Sequence, residues 1–273
     1  MEDLANFAHL VEAVRPWLPH IVIVGGWAHR LHRFHALART PEYQPLRTRD
    51  VDLAFAPRAP LEGDLKKALT QAGFSEELSG EFTPPVTHYT LGEEQYGFYA
   101  EFLTVLQGDG RRRDGQRDLT VSKAGIIAQR LRHLDVLLIA PWKINIVPEN
   151  GIPVDQPVEA LVPNPVSFMV QKFLIHGRRD ANKKAQDVLY IHDTLDLFGG
   201  SLDQLRTAWQ DEVRPKMPAR TARTAMTTAT QLFKNVSDVI RDAARIPQDR
   251  RLQPENIRAA SEYGLEKIFG LHS

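Results

Sequence analysis

The sequence predicts an α+β fold, with a mixed-sheet domain over residues 1–162 followed by an all-helical domain over residues 163–273. In most of the first domain, short apolar segments of strand length alternate with helical patterns, as in a sheet covered by helices. Beyond Pro163 only helical patterns follow, and Asn164 before Pro165 is a typical helix start. These observations place the domain boundary just before Pro163.

Local signals define the elements of the first domain. Apolar residues recur every three or four positions from Leu4, which predicts a helix, and a continuous apolar run from Ile21 predicts a buried strand. Gly25-Gly26 ends that strand, and Gly73 stands where a later helix would stop. The predicted helices span 4–18, 27–38 and 61–72, and the predicted strands span 21–24, 51–55, 87–91, 98–106, 136–139 and 144–147.

The second domain is predicted to contain helices only. Prolines punctuate its helical patterns, because proline cannot continue a helix from its interior. The prolines are Pro215, Pro218, Pro247 and Pro254, and the predicted helices span 165–176, 181–198, 201–213, 219–245 and 254–269.

Composition excludes several classes of protein. With 34 basic and 34 acidic residues the formal net charge is zero, so any nucleic-acid-binding surface must be a local one. The chain has no cysteine, which excludes disulfides and thiolate zinc sites and fits a reducing cytoplasm. No apolar run approaches the roughly 18 residues that span a bilayer, and the start Met-Glu-Asp is acidic where a secretory signal is basic. We therefore expect a soluble cytoplasmic protein that does not bind membranes.

Two carboxylates occupy alternate positions of one apolar strand. Side chains of a strand alternate between its faces, so Asp50 and Asp52 share one face. Adjacent carboxylates repel each other, and a bound cation removes that cost. Carboxylate oxygens suit Mg²⁺, which also binds phosphate oxygens. The alternative is an edge strand whose polar face lies in water, and this pair alone does not decide between the two.

Glu101 is a third acid within an apolar strand segment. An acid in such a segment needs a partner or a metal ion. It pairs with an arginine, faces solvent, or joins Asp50 and Asp52 in binding metal. Two-metal phosphoryl transfer uses such carboxylates, with one metal at the acceptor oxygen and the other at the leaving group.

The turn at Gly25-Gly26 lies between a predicted strand and a predicted helix. Glycines let backbone N–H groups approach a phosphate closely, and a helix N-terminus favours an anion. A plain tight turn is the alternative interpretation. The position of this turn ahead of Asp50 and Asp52 favours phosphate binding.

The order of these motifs resembles the polymerase β-like nucleotidyltransferase superfamily. Its pattern is a hydrophobic residue, Gly, and Gly or Ser, then Asp-hydrophobic-Asp/Glu-hydrophobic, then an acid on a later strand. The matching residues here are Val24, Gly25, Gly26, then Asp50-Val51-Asp52-Leu53, then Glu101.

Two departures from the superfamily pattern indicate a particular branch. Gly26 replaces the common serine, and the spacer over residues 27–49 is long. Both features, together with Gly25-Gly26-Trp27-Ala28, resemble the branch of abortive-infection toxin-type and related bacterial nucleotidyltransferases.

The resemblance extends to the helical part of the chain. Residues 165–174 resemble the helix that carries a lysine in this branch, and residues 178–188 resemble its downstream Arg…Lys-x-x-Asp segment. The resemblance implies that Lys172 contacts the triphosphate and that Asp187 supports the site. The residues themselves also allow a salt bridge between Lys172 and Asp187 that joins two helices.

The resemblance implies a metal-dependent nucleotidyltransferase. The expected cofactor is Mg²⁺ at two sites, with Mn²⁺ as a substitute, and the expected donor is a nucleoside triphosphate such as ATP or GTP. The acceptor is an RNA or tRNA end, a small molecule or a protein hydroxyl, and an antitoxin protein is a further expected partner. The alternative is a non-catalytic, nucleotide-binding regulatory or toxin-like module, to which the missing serine gives some weight.

Several basic residues have both a functional and a structural interpretation. Arg47 and Arg49 flank the aspartates and contact phosphates or pair with the carboxylates. The basic loop at 111–117 contacts RNA phosphates or is a charged surface loop. His29, His32 and His35 recur every third residue, but their spacing drifts around a helix, which favours a polar or phosphate-facing helix over a zinc site. Trp142 stacks on a base or packs in the core.

Overall fold

A computed structural model of the chain describes residues 2–80, 85–92, 97–111, 115 and 117–271. The chain divides into two compact units. The first contains Met1–Phe34 and Arg47–Val162, and the second contains His35–Leu46 and Pro163–Ser273. The expectation that they fold as separate domains stays a prediction.

The first unit is a mixed β-sheet with helices. In the described residues the sheet has nine strands, and the unit's helices are α1 (Glu2–Ala13), α2 (Gly25–Leu31), α3 (Leu65–Gln71) and α4 (Leu134–Leu137). The strands are β1 (Val22–Val24), β2 (Asp50–Phe55), β3 (Ser75–Ser79), β4 (Val86–Leu91), β5 (Phe98–Val105), β6 (Thr120–Lys123), β7 (Ile126–Leu131), β8 (Trp142–Ile146) and β9 (Val158–Val162).

The sheet is built around its two central strands, β2 and β5. Its order is β3-β4-β5-β2-β1-β9-β8, and β2 runs parallel to β5. Strand β5 is long enough to pair with two strands along its other edge, with β4 at its start and with β7 at its end. Strand β6 pairs with β7 to complete the sheet.

Apolar side chains cover both faces of the central strands. On one face, Val51 and Leu53 are fully buried, and Trp27 of α2 lies between the stacked ring of Phe7 at 3.9 Å and the edge-on ring of Phe98 at 6.1 Å. On the other face, α4 packs through two leucines on the carboxyl-terminal half of the strands. That cluster includes Val22, Val24, Ala54, Leu103, Leu134 and Leu137.

The second unit is helical. Its helices are α5 (Pro165–Ile175), α6 (Ala181–Leu197), α7 (Leu202–Thr207), α8 (Ala219–Phe233), α9 (Asp238–Arg245) and α10 (Pro254–Phe269). Side-chain caps begin two of them, since Asn164 accepts from the Ser167 N–H at 2.8 Å and Asp180 accepts from the Lys183 N–H at 2.9 Å. None of the described helices is both long and apolar enough to cross a membrane.

The segment at 35–46 is anchored to helices of the second unit. Arg39 forms a bidentate ion pair with Asp196, whose carboxylate also accepts from the Tyr43 hydroxyl at 3.0 Å. The guanidinium of Arg250 lies 3.4 Å from the centre of the Tyr43 ring and binds both oxygens of Asp193 at 2.6 Å. This segment is the middle of the long spacer noted in the sequence.

The predicted α+β fold class is confirmed, with a mixed sheet followed by helices. Two predicted elements are wrong. Residues 136–139 were expected as a strand but lie in and after α4, and the single helix expected over 219–245 is two helices, α8 and α9. A buried four-residue apolar run is compatible with a strand or with a helix. The short polar segment between α8 and α9 ends α8.

Candidate active site

Three carboxylates lie on one face of β2 and β5. The parallel register places Asp52 directly opposite Glu101 and Asp50 opposite Tyr99. Neighbouring strands are about 4.8 Å apart, so the two facing carboxylates are close neighbours. All three acids are half-buried. The structure thus brings together the three acids that the sequence singled out.

Gly25 packs directly against Asp52. Its φ is +66°, and a Cβ added to it would lie 2.1 Å from Oδ2 of Asp52. Only glycine tolerates both that backbone conformation and that approach. Because Val24 pairs with Asp52, β1 delivers the first turn of α2 to this carboxylate.

Asp50 is held by a residue that lies just before β2. The Thr48 hydroxyl, two residues earlier, donates a hydrogen bond to Oδ1 of Asp50. The backbone N–H of Tyr99 donates to the carbonyl of Arg49 at 3.2 Å, which continues the β2–β5 pairing to the start of the acidic segment. The Arg49 side chain is exposed at this end of the strand.

The electrostatic character of this face is visible at Tyr99. Burial raises the pKa of Tyr99 to about 12, and the negative charges of both aspartates and Glu101 add to the rise. The phenol therefore stays neutral at physiological pH, beside three acids whose combined charge favours a cation.

Glu101 has a histidine neighbour on the other side. His88 of β4 is directly opposite Glu101 in the antiparallel register, and its Nε2 lies 3.3 Å from Oε1 of Glu101. The imidazole also stacks on Tyr99, with ring centres 5.5 Å apart. Both His88 and Glu101 keep about a fifth of their side-chain surface exposed, at 24% and 21%.

The donor set of this face matches Mg²⁺ or Mn²⁺, because carboxylate oxygens are the hard ligands that these ions prefer. Asp50, Asp52 and Glu101 supply them from two paired strands. Within the described parts of the chain, no group of three His, Asp or Glu side chains is arranged to hold a metal ion as it stands. A metal bound here would take further ligands from phosphate oxygens and water.

A basic cluster occupies α2 and its surroundings. Arg30 lies over the Trp27 ring at 4.8 Å. Burial lowers the pKa of Arg30, and repulsion from Arg33 and Arg47 lowers it further while Asp3 opposes them. His29 and His32 on the same stretch are buried, with ring centres 6.3 Å apart, so they belong to the core of the first unit.

Lys172 and Asp187 form a buried ion pair in the second unit. Nζ of Lys172 donates to Oδ1 of Asp187 at 2.6 Å, and only 6% and 5% of the two side chains is exposed. Arg179 approaches the other oxygen of Asp187 at 3.4 Å. The Lys172 ammonium also lies 4.7 Å from the Phe168 ring and 4.6 Å from the Tyr190 ring. The salt bridge between α5 and α6 that the sequence allowed is therefore present.

A family model described as nucleotidyltransferase matches residues 2–214. The chain belongs to this nucleotidyltransferase family. The matched residues include the sheet, the carboxylate face and the Lys172–Asp187 pair, whereas helices α8, α9 and α10 lie beyond them.

No curated protein matches this nucleotidyltransferase significantly in sequence. It is similar to the solved structure of MenT4, a nucleotidyltransferase toxin from Mycobacterium tuberculosis H37Rv, at 13% sequence identity with a TM-score of 0.38. That match covers 95% of this chain and 92% of the other.

Three neighbours of the carboxylates were not predicted from sequence as site residues. Thr48 had a detectable signal, because it lies two residues before Asp50 and so points to the same face of an extended segment. His88 and Tyr99 had no such signal. Their position depends on how β4, β5 and β2 pair, and a sequence does not state a register.

Arg111, Arg117 and Trp142 lie outside the carboxylate face. In the basic loop, Arg111 pairs with Arg117 through a β-bridge, while Arg112 and Arg113 lie outside the described residues. Trp142 begins β8, opposite Val162 of β9.

Proposed function

We propose that this nucleotidyltransferase moves a nucleoside monophosphate from a nucleoside triphosphate to an acceptor hydroxyl, using divalent metal ions bound by Asp50, Asp52 and Glu101. The observation that carries the proposal is the register of β2 and β5. It sets Asp52 opposite Glu101 and leaves Asp50 two residues away on the same face. Three acids concentrated on one half-buried face are costly without a cation to neutralise them.

The proposed cofactor is Mg²⁺, with Mn²⁺ as a substitute. When bound, the metal would lower the pKa of the acceptor hydroxyl and neutralise the triphosphate. The two aspartates and Glu101 would hold it by their carboxylate oxygens, and the triphosphate oxygens would complete its coordination.

The chain's own groups have separate roles in the proposed transfer. The backbone N–H groups of Gly25 and Gly26, at the start of α2, donate to the phosphates, and the exposed Arg49 offsets their charge. The acceptor oxygen bonds to the α-phosphorus while the bond from that phosphorus to the bridging oxygen breaks, so pyrophosphate leaves. Glu101 takes the acceptor's proton.

Lys172 and Asp187 remain a proposed part of the nucleotide site. The resemblance of their segments to the lysine-bearing helix and the Arg…Lys-x-x-Asp segment of the toxin-type branch supports this role, whereas their mutual ion pair and deep burial support a structural role. The two roles are compatible if Asp187 fixes the direction of the ammonium.

The decisive experiment is transfer from α-labelled triphosphates. Purified protein is incubated with Mg²⁺, each labelled nucleoside triphosphate and total RNA, and Asp52→Asn is compared with the wild type. Losing one metal ligand removes several kcal/mol of transition-state stabilisation, so we expect the rate to fall on the order of 1000-fold. The melting temperature should not fall, because the substitution relieves repulsion between neighbouring acids.

Asp135→Asn is the matched control. It makes the same chemical change at an exposed position of α4 in the same unit, and it should leave transfer unchanged. A fully active Asp52→Asn enzyme would rule out the proposed chemistry.

The same assay separates the classes of acceptor. Label in RNA, together with binding that weakens steeply as salt rises, identifies a polynucleotide acceptor, because neutralised phosphates release counterions. Label in a small molecule or in a protein identifies the other two classes. Nucleotide binding that needs Mg²⁺ but gives no transfer to any of them would favour a regulatory or toxin-like module, for which an antitoxin is the proposed partner.

A further inference from the structure

One row of facing residues crosses four strands at the carboxylates. In the sheet register Val24 faces Asp52, Asp52 faces Glu101, and Glu101 faces His88. The two carboxylates therefore have different neighbours on their outer sides. Asp52 is bounded by β1 and Gly25, while Glu101 is bounded by an imidazole.

The imidazole of His88 is fixed on two sides. Its backbone is paired with Glu101 in the antiparallel ladder of β4 and β5, and its ring lies on the Tyr99 ring at an interplanar angle of 30°. Because Nε2 is 3.3 Å from Oε1 of Glu101, the tautomer with a proton on Nε2 directs that N–H at the carboxylate.

Holding a ligand in place changes how well it binds metal. A glutamate has three rotatable bonds, and ordering them when metal binds costs entropy. A partner that already orients the carboxylate removes part of this cost, and loss of such a partner commonly weakens metal binding 10- to 100-fold.

We propose that His88 is a positioning residue that orients Glu101 for metal binding. This inference rests on the proposed function, since it assumes that Glu101 is a metal ligand. His88 does not itself touch substrate or metal in this scheme. It contributes an N–H donor from β4, directly across from Glu101 at the outer edge of the carboxylate row.

Two substitutions separate the donor from the ring. His88→Gln keeps a side-chain N–H that reaches about as far as Nε2 but removes the aromatic ring. His88→Phe keeps the ring that stacks on Tyr99 but removes the donor. If the donor is what matters, the two variants differ in metal affinity even where their melting temperatures agree.

The measurement is Mn²⁺ binding to the whole chain without nucleotide, followed by electron paramagnetic resonance of the free ion. We expect His88→Phe to weaken binding about 10-fold or more, and His88→Gln to stay within about 3-fold of the wild type. In steady-state transfer, His88→Phe should need a higher Mg²⁺ concentration for half-maximal rate and should recover most of its kcat when Mg²⁺ saturates.

Glu101→Gln distinguishes failure of this inference from failure of the proposed function. If Glu101→Gln weakens Mn²⁺ binding but His88→Phe does not, Glu101 is a ligand and the role of His88 is overturned. If neither substitution changes Mn²⁺ binding, the metal site of the proposed function is wrong as well. Equal weakening by His88→Phe and His88→Gln would also overturn the inference, because it would assign the effect to the ring rather than to the donor.

Discussion

At the scale of single residues, Gly25 and Asp52 constrain each other. The backbone at Gly25 is in the left-handed region, and the space where a side chain would begin is occupied by a carboxylate oxygen of Asp52. The glycine is therefore needed for the position of a proposed metal ligand as well as for the turn.

Gly25→Ala should abolish transfer by displacing Asp52, since the new methyl group would lie 2.1 Å from Oδ2. The left-handed conformation alone costs an alanine about 1 kcal/mol of folding free energy. We expect a rate loss of at least about 100-fold, measured with labelled triphosphate, beside the loss of stability measured by urea unfolding.

Gly73→Ala is the matched control for this prediction. Gly73 has a φ of +86° in the same unit, and nothing lies within 4 Å of an added Cβ. Gly73→Ala should therefore lose folding free energy through the left-handed conformation but keep the wild-type rate of transfer. Equal transfer rates in the two alanine variants would show that the contact with Asp52 does not matter.

Whether the sequence predicts a site residue depends on how far apart in the chain that residue and its neighbours in the site lie. The common face of Asp50 and Asp52 is a property of one strand, so alternation alone identifies it. The neighbourhood of Glu101 depends on the pairing of strands some fifty residues apart, and only the family pattern indicated it. No sequence signal indicated His88, because its role depends on the register of a second pair of strands.

At the scale of secondary structure elements, the accuracy of prediction depends on how many local signals agree. Helix α5 was placed to within one residue, because an asparagine cap, a proline at its first position and an apolar pattern coincide. Strand β9 has no prediction from the sequence, and its pairing with β1 joins residues far apart in the chain, Val22 and Leu161. Residues 136–139 predict a strand where α4 and its following turn lie, because buried leucines and valine fit either state.

The ion pair that joins α5 and α6 makes a prediction at this scale. Lys172→Met leaves Asp187 buried beside the more distant Arg179, and we expect a loss of about 3–5 kcal/mol in unfolding free energy. The double variant Lys172→Met/Asp187→Leu should recover most of that loss, because two apolar side chains then pack in place of two charges. Urea unfolding of both variants measures the difference.

Nucleotide affinity of the double variant tests the second role of Lys172. If the only role of Lys172 is to join the helices, the double variant binds triphosphate with the same affinity as the wild type. Weaker binding despite restored stability would support contact with the triphosphate.

Lys143→Met is the surface control for the unfolding measurement, because the Lys143–Glu159 pair is mostly exposed and its loss should cost under about 1 kcal/mol.

At the scale of the whole molecule, one part of the spacer belongs to the helical unit. The segment at 35–46 is anchored through Arg39 and Tyr43 to α6 and to Arg250, although its sequence neighbours on both sides belong to the sheet unit. Part of the long spacer between the glycine turn and the aspartates therefore packs as a segment of the helical unit. Sequence patterns placed it in the first domain because they do not report which distant elements a loop contacts.

Acid should destabilise the helical unit through its partly buried histidines. Burial lowers the pKa of His35, of His176 and of His192, the last to about 4, with Asp196 partly opposing the shift at His192. A histidine whose pKa is lower in the folded state binds protons more readily when unfolded, so stability falls as pH drops below about 6.5 and levels off below about 4. His192 alone should cost about 2 kcal/mol of unfolding free energy between pH 7 and pH 5.

The test of the acid effect is unfolding free energy measured by urea titration from pH 7 to pH 5, a range above the usual titration of carboxylates. His192→Gln removes the titrating group, so its curve should be flatter than that of the wild type by about 2 kcal/mol over the same range, whatever its stability at pH 7. His20→Gln is the matched control, because it makes the same substitution at an exposed histidine of the first unit and should keep the wild-type slope. A His192→Gln variant with the full wild-type slope would show that the acid sensitivity of the molecule arises elsewhere.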